Sequence, residues 1–349
     1  MTELEIKIKE AANAYYKDGS SPYTDEEFDE MMEELRETQP DSELLKNGVQ
    51  EELKGVSKKY KLDITMGTLA KCNSNDEIKK WWISHPHNNL LVSLKIDGNG
   101  IYLAYRDGKF IYARSRGDGN FGLDYTEKVL KIKNFPKHLK SKFNGYIRGE
   151  VYMLKSVWEK YFNFQKNPRN TAAGILSKKN NEDCKFLNFI AYDVFDLDNI
   201  VDNTKKDKFI FLQNENIDVP EYIENPSLEQ VIKWKDKLNT DGEIPCDGIV
   251  CCQNIVDKED LKRMTPLNDV AFKPELQIAI SELIDIEWSM SGSFFSPIGI
   301  IKPVEISGAT VSRASLSNIN IMLKLGIKKG DKVFVERRGM IIPKIIGKV

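Results

Sequence analysis

The 349-residue chain has no apolar run approaching the ~20 residues that a membrane-spanning helix needs. Its first ten residues, MTELEIKIKE, lack the basic start and apolar centre of a secretion signal. Three histidines are too few to favour a histidine-based metal centre. The five cysteines (Cys72, Cys184, Cys246, Cys251 and Cys252) are odd in number and form no CxxC pair. They read as reduced thiols of an intracellular protein, with neither a disulfide frame nor a zinc site. Internal repeats and low-complexity tracts are also missing. What remains is ordinary globular composition, 41% hydrophobic and 30% charged, at a length that suits two or three domains. A cytoplasmic monomer with no membrane contact is expected.

Net charge is only −2, but it is unevenly spread. Residues 1–56 hold 16 Asp and Glu against 6 Lys and Arg, whereas residues 301–349 hold three against ten. An acidic front module and a basic end module follow. The basic end suits a phosphate backbone, although a solvated lysine-rich surface would look the same by charge alone.

Periodicity divides the chain the same way. Leu4, Ile8, Ala11, Ala12 and Tyr15 recur at helical spacing. After KDGSSPY, the capping box Thr24-x-x-Glu27 opens a second helix with Phe28, Met31, Met32 and Leu35 on its apolar face, ended by Pro40. From about residue 60 the pattern becomes mixed. In LVSLKIDG, Val92, Leu94 and Ile96 take one face and Ser93, Lys95 and Asp97 the other. RDGK (106–109) predicts a hairpin turn, and the returning FIYARSRG puts Arg114 and Arg116 on one side. YIRGEVYM (146–153), FIAYDVF (189–195) and CDGIVCC (246–252) read as strands, with helices near 153–165 and 226–238. From 278 onward short strands separated by SGS and KKGD predict a small β-barrel with a short helix near 315–325. The fold class is therefore an α+β multidomain chain: a small helical domain over 1–56, a mostly antiparallel-sheet domain over 57–277 and a barrel over 278–349.

Lys95 is the first chemical candidate. A lysine amine is a nucleophile only when neutral. Burial and nearby cations such as Arg114, Arg116 and Lys273 favour that state, whereas Asp97, Glu150 and Asp247 oppose it. On this stretch alone, a strand-end lysine reaching solvent is the commoner arrangement. RGDG (116–119), RGEV (148–151), NPRNTAAG (167–174), DGIV (247–250) and AFKP (271–274) change the balance. Each sets a charge beside a small residue or strand end. Arginine and lysine there suit phosphate, and carboxylates suit ribose hydroxyls or a metal.

The order KIDG, SRGDG, RGEVYM, NPRNTAAG, DGIV, AFKP resembles the bacterial NAD⁺-dependent DNA ligases, and the likeness covers almost the whole chain. It implies an antiparallel nucleotidyltransferase (adenylation) domain with Lys95 as the adenylated nucleophile, followed by an OB-fold that grips nicked double-stranded DNA. AYYKDGSSPYTDEEFDEMMEEL resembles the family's domain for the nicotinamide mononucleotide half of NAD⁺, which ATP-dependent ligases lack. By that resemblance Tyr15, Tyr16, Asp25, Phe28 and Asp29 contact the mononucleotide. Asp97 supports the lysine and Glu150 holds the ribose. Arg116 and Arg169 approach the phosphates or the nicked strand, Lys273 meets the α-phosphate, and Asp247 places metal or nucleotide. Tyr192 is a candidate to stack on adenine, though a core tyrosine fits equally well. Ser93 adjoins the base. Arg313, Arg337 and Arg338 in the barrel join Arg169 as candidate DNA contacts. Mg²⁺ is implied, held through phosphates and water and not by a protein cage.

The chain also departs from the family pattern. Ser93 stands where an adenine-reading glutamate is usual, and Cys252 where a phosphate-contacting lysine is usual. Tyr16, Phe28, Ser177 and Met340 replace histidine, tyrosine, arginine and aspartate, and SGS (291–293) stands for an RTG-like turn. The resemblance is to a short, divergent member of viral or phage kind, ending at Val349 after the OB-like segment. Two other readings remain open. One is a related lysyl-nucleotidyltransferase that acts on RNA or uses ATP. The other is a weakened relic that binds nicks without turnover. The expected location is cytoplasmic, at a nucleoid or viral replication site.

Overall fold

The structure, a computed structural model, describes residues 2–18, 28, 31–32, 34–35, 38–39, 42, 44–45, 59–86, 89–165, 167–198, 201, 204–238, 242–257, 259–273, 277–291, 294–306, 309–317, 319–337 and 343–349. For 12–18, 261, 277, 289–291, 294–296, 309 and 320 it describes the backbone alone. The chain forms two compact units, Glu51–Lys273 and Met1–Gln50 together with Pro274–Val349.

The N-terminal segment opens with helix α1 (Glu3–Asp18). Its Ile8 packs with Met32, Leu35 and Leu44, flanked by Leu4, Phe28 and Met31, so the helical spacing of these residues does build one apolar contact. The capping box Thr24/Glu27 and the stop at Pro40 lie outside the described residues.

The middle unit begins with β1 (Lys59–Lys61), β2 (Ala70–Cys72) and α2 (Asn75–Ser84). The Ser74 hydroxyl caps α2 by accepting from the Glu77 amide. Then come β3 (Leu90–Ile96), β4 (Asn99–Arg106), β5 (Lys109–Ser115), β6 (Phe121–Leu123), α3 (Thr126–Val129), β7 (Gly145–Tyr152), α4 (Lys155–Tyr161), α5 (Pro168–Ser177) and β8 (Asn188–Asp196). The unit ends with α6 (Lys205–Asn214), β9 (Tyr222–Glu224), α7 (Leu228–Lys237), β10 (Cys246–Gln253) and β11 (Asp269–Phe272). A five-stranded sheet runs β2-β11-β10-β3-β9 and a four-stranded sheet β5-β4-β7-β8. All pairs in them are antiparallel except β11 with β2.

RDGK makes the expected hairpin between β4 and β5, with Asp107 and Gly108 both at positive φ (49° and 70°). One face of the five-stranded sheet is apolar: Val92, Ile249, Cys251, Val270 and Phe272 pack against Ile78 and Trp82 of α2 and Val231 of α7. Alternation therefore leaves Ser93, Lys95, Val250 and Ala271 on the opposite face. At the end of the five-stranded sheet next to Lys95, Ile96 packs with Tyr152 and Ile190, which ties the two sheets to each other.

The C-terminal segment forms a closed barrel, β12-β13-β14-β16-β15. Its strands are β12 (Gln277–Ser291), β13 (Phe294–Ile306), β14 (Ala309–Ser315), β15 (Lys332–Arg337) and β16 (Lys344–Lys348), with α8 (Ile319–Leu325) between β14 and β15. Leu283, Ile301, Val311, Val333, Val335 and Ile345 fill it. Among the described residues no helix is long and apolar enough to cross a membrane.

Candidate active site

Lys95 lies one residue before the end of β3, on the face that α2 and α7 leave uncovered. Its Nζ donates to Asp247 Oδ1 at 2.8 Å. The other carboxylate oxygen, Oδ2, lies 3.1 Å from Lys273 Nζ. A break in the ladder explains this convergence. Ile96 pairs with Cys246 and Lys95 pairs with Gly248, so Asp247 is an extra residue in β10. Such a bulge re-aims one side chain out of the period-2 pattern. Here it turns Asp247 toward two lysines on neighbouring strands. Burial alone would raise the Asp247 pKa, but Lys95 and Lys273 outweigh it and hold the carboxyl well below its usual range.

Asp97, expected beside Lys95 as its support, makes its ion pair elsewhere: Oδ1 lies 3.2 Å from Arg169 Nη1. Arg169 is set by NPRNTAAG, which folds as the start of α5. Asn167 is the N-cap and its Oδ1 accepts from the Asn170 amide at 2.8 Å. Pro168 occupies the first turn, where its missing N–H costs nothing. Thr171, Ala172, Ile175 and Leu176 bury the other side of the helix. The motif thus aims one arginine at Asp97. Burial raises the Asp97 pKa, and Arg169 partly offsets it. Gly98 is required by close approach, since a Cβ there would stand 2.6 Å from the Val151 carbonyl oxygen.

Glu150 comes from β7, opposite Gly100 of β4. Burial pushes its pKa up to about 7, against the pull of Lys95, Arg169 and Arg116. Arg116 follows β5 and its Nε donates to the Met66 carbonyl at 3.2 Å. A second bulge lies in β8: Arg148 pairs with Asp193 and Gly149 with Ala191, leaving Tyr192 as the extra residue. Burial raises its hydroxyl pKa, and the charge of Glu150 adds to that. Each sheet therefore carries one bulge at the site. The structure brings Lys95, Asp97, Glu150, Arg116, Arg169, Tyr192, Asp247 and Lys273 into one region.

Ser93 is buried two residues up β3 from Lys95, opposite Val250 and Tyr222. Cys252 is buried and its thiol donates to the Leu91 carbonyl at 3.1 Å. Burial pushes that thiol's pKa up to about 12. Sequence reasoning missed what surrounds Cys252. Asp269 pairs with it across the ladder and binds Lys205 of α6 through both carboxylate oxygens. Lys208 of the same helix donates to Asp193 at 2.5 Å. The period-2 run Asp269, Ala271, Lys273 was a readable signal for Asp269. Lys205 had only the helix-start pattern Thr204-x-x-Asp207, which does fold as a capping box.

The other expected site residues belong to the other unit or lie outside the described residues. The Tyr15 and Tyr16 side chains, Asp25, Asp29 and Arg338 lie outside the described residues. Phe28 packs against the small N-terminal core. Arg313 pairs with Glu287 at 2.6 Å on the barrel surface, and Arg337 donates to the Ile306 carbonyl at 2.9 Å. Among the described residues no group of three or more His, Cys, Asp or Glu is placed to hold a metal ion.

A two-sheet domain with a carboxylate-held strand lysine, followed by a closed five-stranded barrel, has the layout of a nucleotidyltransferase-fold domain joined to an OB-fold. Two family models agree: NAD-dependent DNA ligase adenylation domain over residues 55–264, and NAD-dependent DNA ligase OB-fold domain over 281–349. A DNA ligase of Treponema denticola is 35% identical over 98% of this chain and 56% of its own length. A DNA ligase of Treponema pallidum is 30% identical over 98% and 44%. The solved structure named Pmar-Lig_PreS3 shares the fold over 95% of this chain and 72% of its own, at TM-score 0.50 and 12% identity. The chain belongs to the NAD-dependent DNA ligase family. It spans about half the length of the curated relatives it matches.

Proposed function

We propose that the chain seals 3′-hydroxyl/5′-phosphate nicks in duplex DNA with NAD⁺ as substrate. The observation that carries this reading is the Lys95–Asp247–Lys273 arrangement, one carboxylate between two lysines on the open face of the sheet.

In the first step Lys95 Nζ attacks the α-phosphorus of NAD⁺. A P–N bond forms, the P–O bond to nicotinamide mononucleotide breaks, and the amine loses a proton. Asp247 fixes the direction of Nζ and Lys273 neutralises charge on the α-phosphate. In the second step a 5′-phosphate oxygen at the nick takes the AMP and the P–N bond breaks. In the third the 3′-hydroxyl attacks that 5′-phosphate and AMP leaves. The chemistry is mainly positioning and charge stabilisation. Glu150 is the ribose acceptor, Tyr192 the base-stacking ring, and Arg116 and Arg169 the phosphate or nicked-strand contacts. Ser93 adjoins the base.

Both Asp247 oxygens already face lysines, which fits Mg²⁺ carried on substrate phosphates and water and not on a protein cage. When bound, Mg²⁺ neutralises phosphate charge in the transition state. Residues 1–56 serve the mononucleotide half through Tyr15, Tyr16, Asp25, Phe28 and Asp29. The barrel, with Arg313, Arg337 and Arg338, holds the duplex. Residues 57–277 form the adenylating domain between them.

The test is sealing of a singly nicked duplex with Mg²⁺ and either NAD⁺ or ATP. Sealed product with NAD⁺ supports the proposal. Sealing with ATP alone, or none with either while the nick is still bound, overturns it.

A further inference from the structure

Three rows of residues cross the face of the five-stranded sheet that α2 and α7 do not cover. Lys95, Gly248 and Lys273 form the first, since Gly248 pairs with Lys95 and its Cα points at the Phe272–Lys273 backbone. Ser93, Val250 and Ala271 form the second. Leu91, Cys252 and Asp269 form the third. The first row is cationic, the second small and mostly apolar, and the third carries a single charge, Asp269.

The third row lies four residues along β3 from Lys95, about 13 Å at ~3.3 Å per residue. That is the reach of a nucleoside monophosphate from its phosphorus to the outer edge of its base. If the phosphate sits at the first row, the sugar and base cover the second and the base edge arrives at the third.

What it meets there is built from both sheets and a helix. Lys205 and Lys208 lie in the first turn and a half of α6. Lys205 binds Asp269 on β11, and Lys208 binds Asp193 on β8, the residue after the bulged Tyr192. Arg148 Nη1 lies 3.8 Å from the same Asp193. The backbone supports this closure, because the Lys206 amide donates to Asn254 Oδ1 at 2.9 Å, just past the end of β10. Cys252, whose thiol is spent on the Leu91 carbonyl, presents no charge of its own. Lys205 and Asp269 keep 16% and 13% of their side-chain surface open, so the pair can still be touched.

We propose that Lys205 and Asp269 form the base-reading end of this cleft and determine its specificity for adenine. The proposal rests on the cleft being the nucleotide site. A carboxylate with two oxygens on one lysine retains lone pairs, and Asp269 accepts a hydrogen bond from the exocyclic amine of the purine. Lys205, held beside it, donates to the adjacent ring nitrogen. A charged pair of this kind rejects a base that presents an oxygen where the amine should be, because that oxygen faces a carboxylate and leaves buried polar groups unmatched.

The experiment uses the full chain and measures self-adenylation on Lys95 with NAD⁺ and with nicotinamide hypoxanthine dinucleotide, in which an oxygen replaces the amine. The wild type is expected to prefer NAD⁺ in kcat/KM. Asp269→Asn should lower that preference by roughly tenfold or more, mainly through KM. Lys205→Arg, which keeps a cation on Asp269, should retain it. The double variant Lys205→Met with Asp269→Leu removes both charges without stranding either, so it remains informative if Asp269→Asn does not fold. It too should lose the preference. Either folded variant keeping the wild-type ratio overturns this proposal alone. A wild type that labels from neither dinucleotide overturns the ligase reading and this proposal with it.

Discussion

Lys95 and Asp247 are joined by a 2.8 Å hydrogen bond because β10 carries one residue more than β3 at that point. Without the bulge, Asp247 would follow the alternation of its strand and turn to the apolar face with Ile249 and Cys251. The extra residue lets a single carboxylate serve Lys95 and Lys273 together.

Asp247→Asn keeps the shape and removes the charge that orients both amines. Self-adenylation is expected to slow by roughly 100-fold, the size of effect that small misplacement of a reacting group produces. Single-turnover labelling measures it. A rate within threefold of wild type would mean that Asp247 is not a positioning residue.

Gly98→Ala puts a methyl 2.6 Å from the Val151 carbonyl oxygen, a contact that only backbone movement can relieve. The cost is expected to be about 1–3 kcal/mol. At Gly100 the nearest atom to a new Cβ is the Arg116 Cβ at 3.3 Å, which calls for a smaller adjustment. Thermal unfolding should show a larger drop for Gly98→Ala than for Gly100→Ala. The reverse order would contradict the packing described around Asp97.

Glu150 titrates near 7 in the fold against an ordinary value of 4.5, because it is buried. The folded chain therefore binds this proton more tightly than the unfolded chain. The stability it contributes is complete below about pH 4.5 and is lost as pH rises through about 7. Glu150→Gln should gain on the wild type between pH 5 and pH 8, by about 2 kcal/mol at the upper end. Denaturant titrations at the two pH values read the gap. A gap that does not change with pH would remove burial as the cause.

Residues 1–56 are proposed to serve the mononucleotide half of NAD⁺. Their deletion should abolish adenylation by NAD⁺ while leaving the sealing of pre-adenylated nicked DNA. Equal loss of both steps would show that the segment has no cofactor-specific role.

Much of this was readable in the sequence, and what was not has a physical reason. Alternation in LVSLKIDG placed Val92 in the core and Lys95 on the open face, and DG in RDGK specified the β4–β5 turn. The barrel followed from short strands with turn residues between them. Bulges were invisible, because an extra residue erases the period-2 pattern that a reader relies on. That is why the hold of Asp247 on Lys95 could not be read from the strand pattern. The Lys205–Asp269 pair was hidden for another reason: it joins residues 64 apart on a helix and a strand, and no local pattern reports such a contact. The capping box at Thr204 showed where α6 begins but not which cleft its first turn closes.

The most direct measurement is the mass of the peptide that contains Lys95 after the chain is incubated with NAD⁺ and Mg²⁺. The account predicts one added AMP on Lys95, none in Lys95→Arg, and loss of the adduct when nicked duplex is supplied. An AMP adduct on another residue, or nick sealing that survives Lys95→Arg, would contradict it.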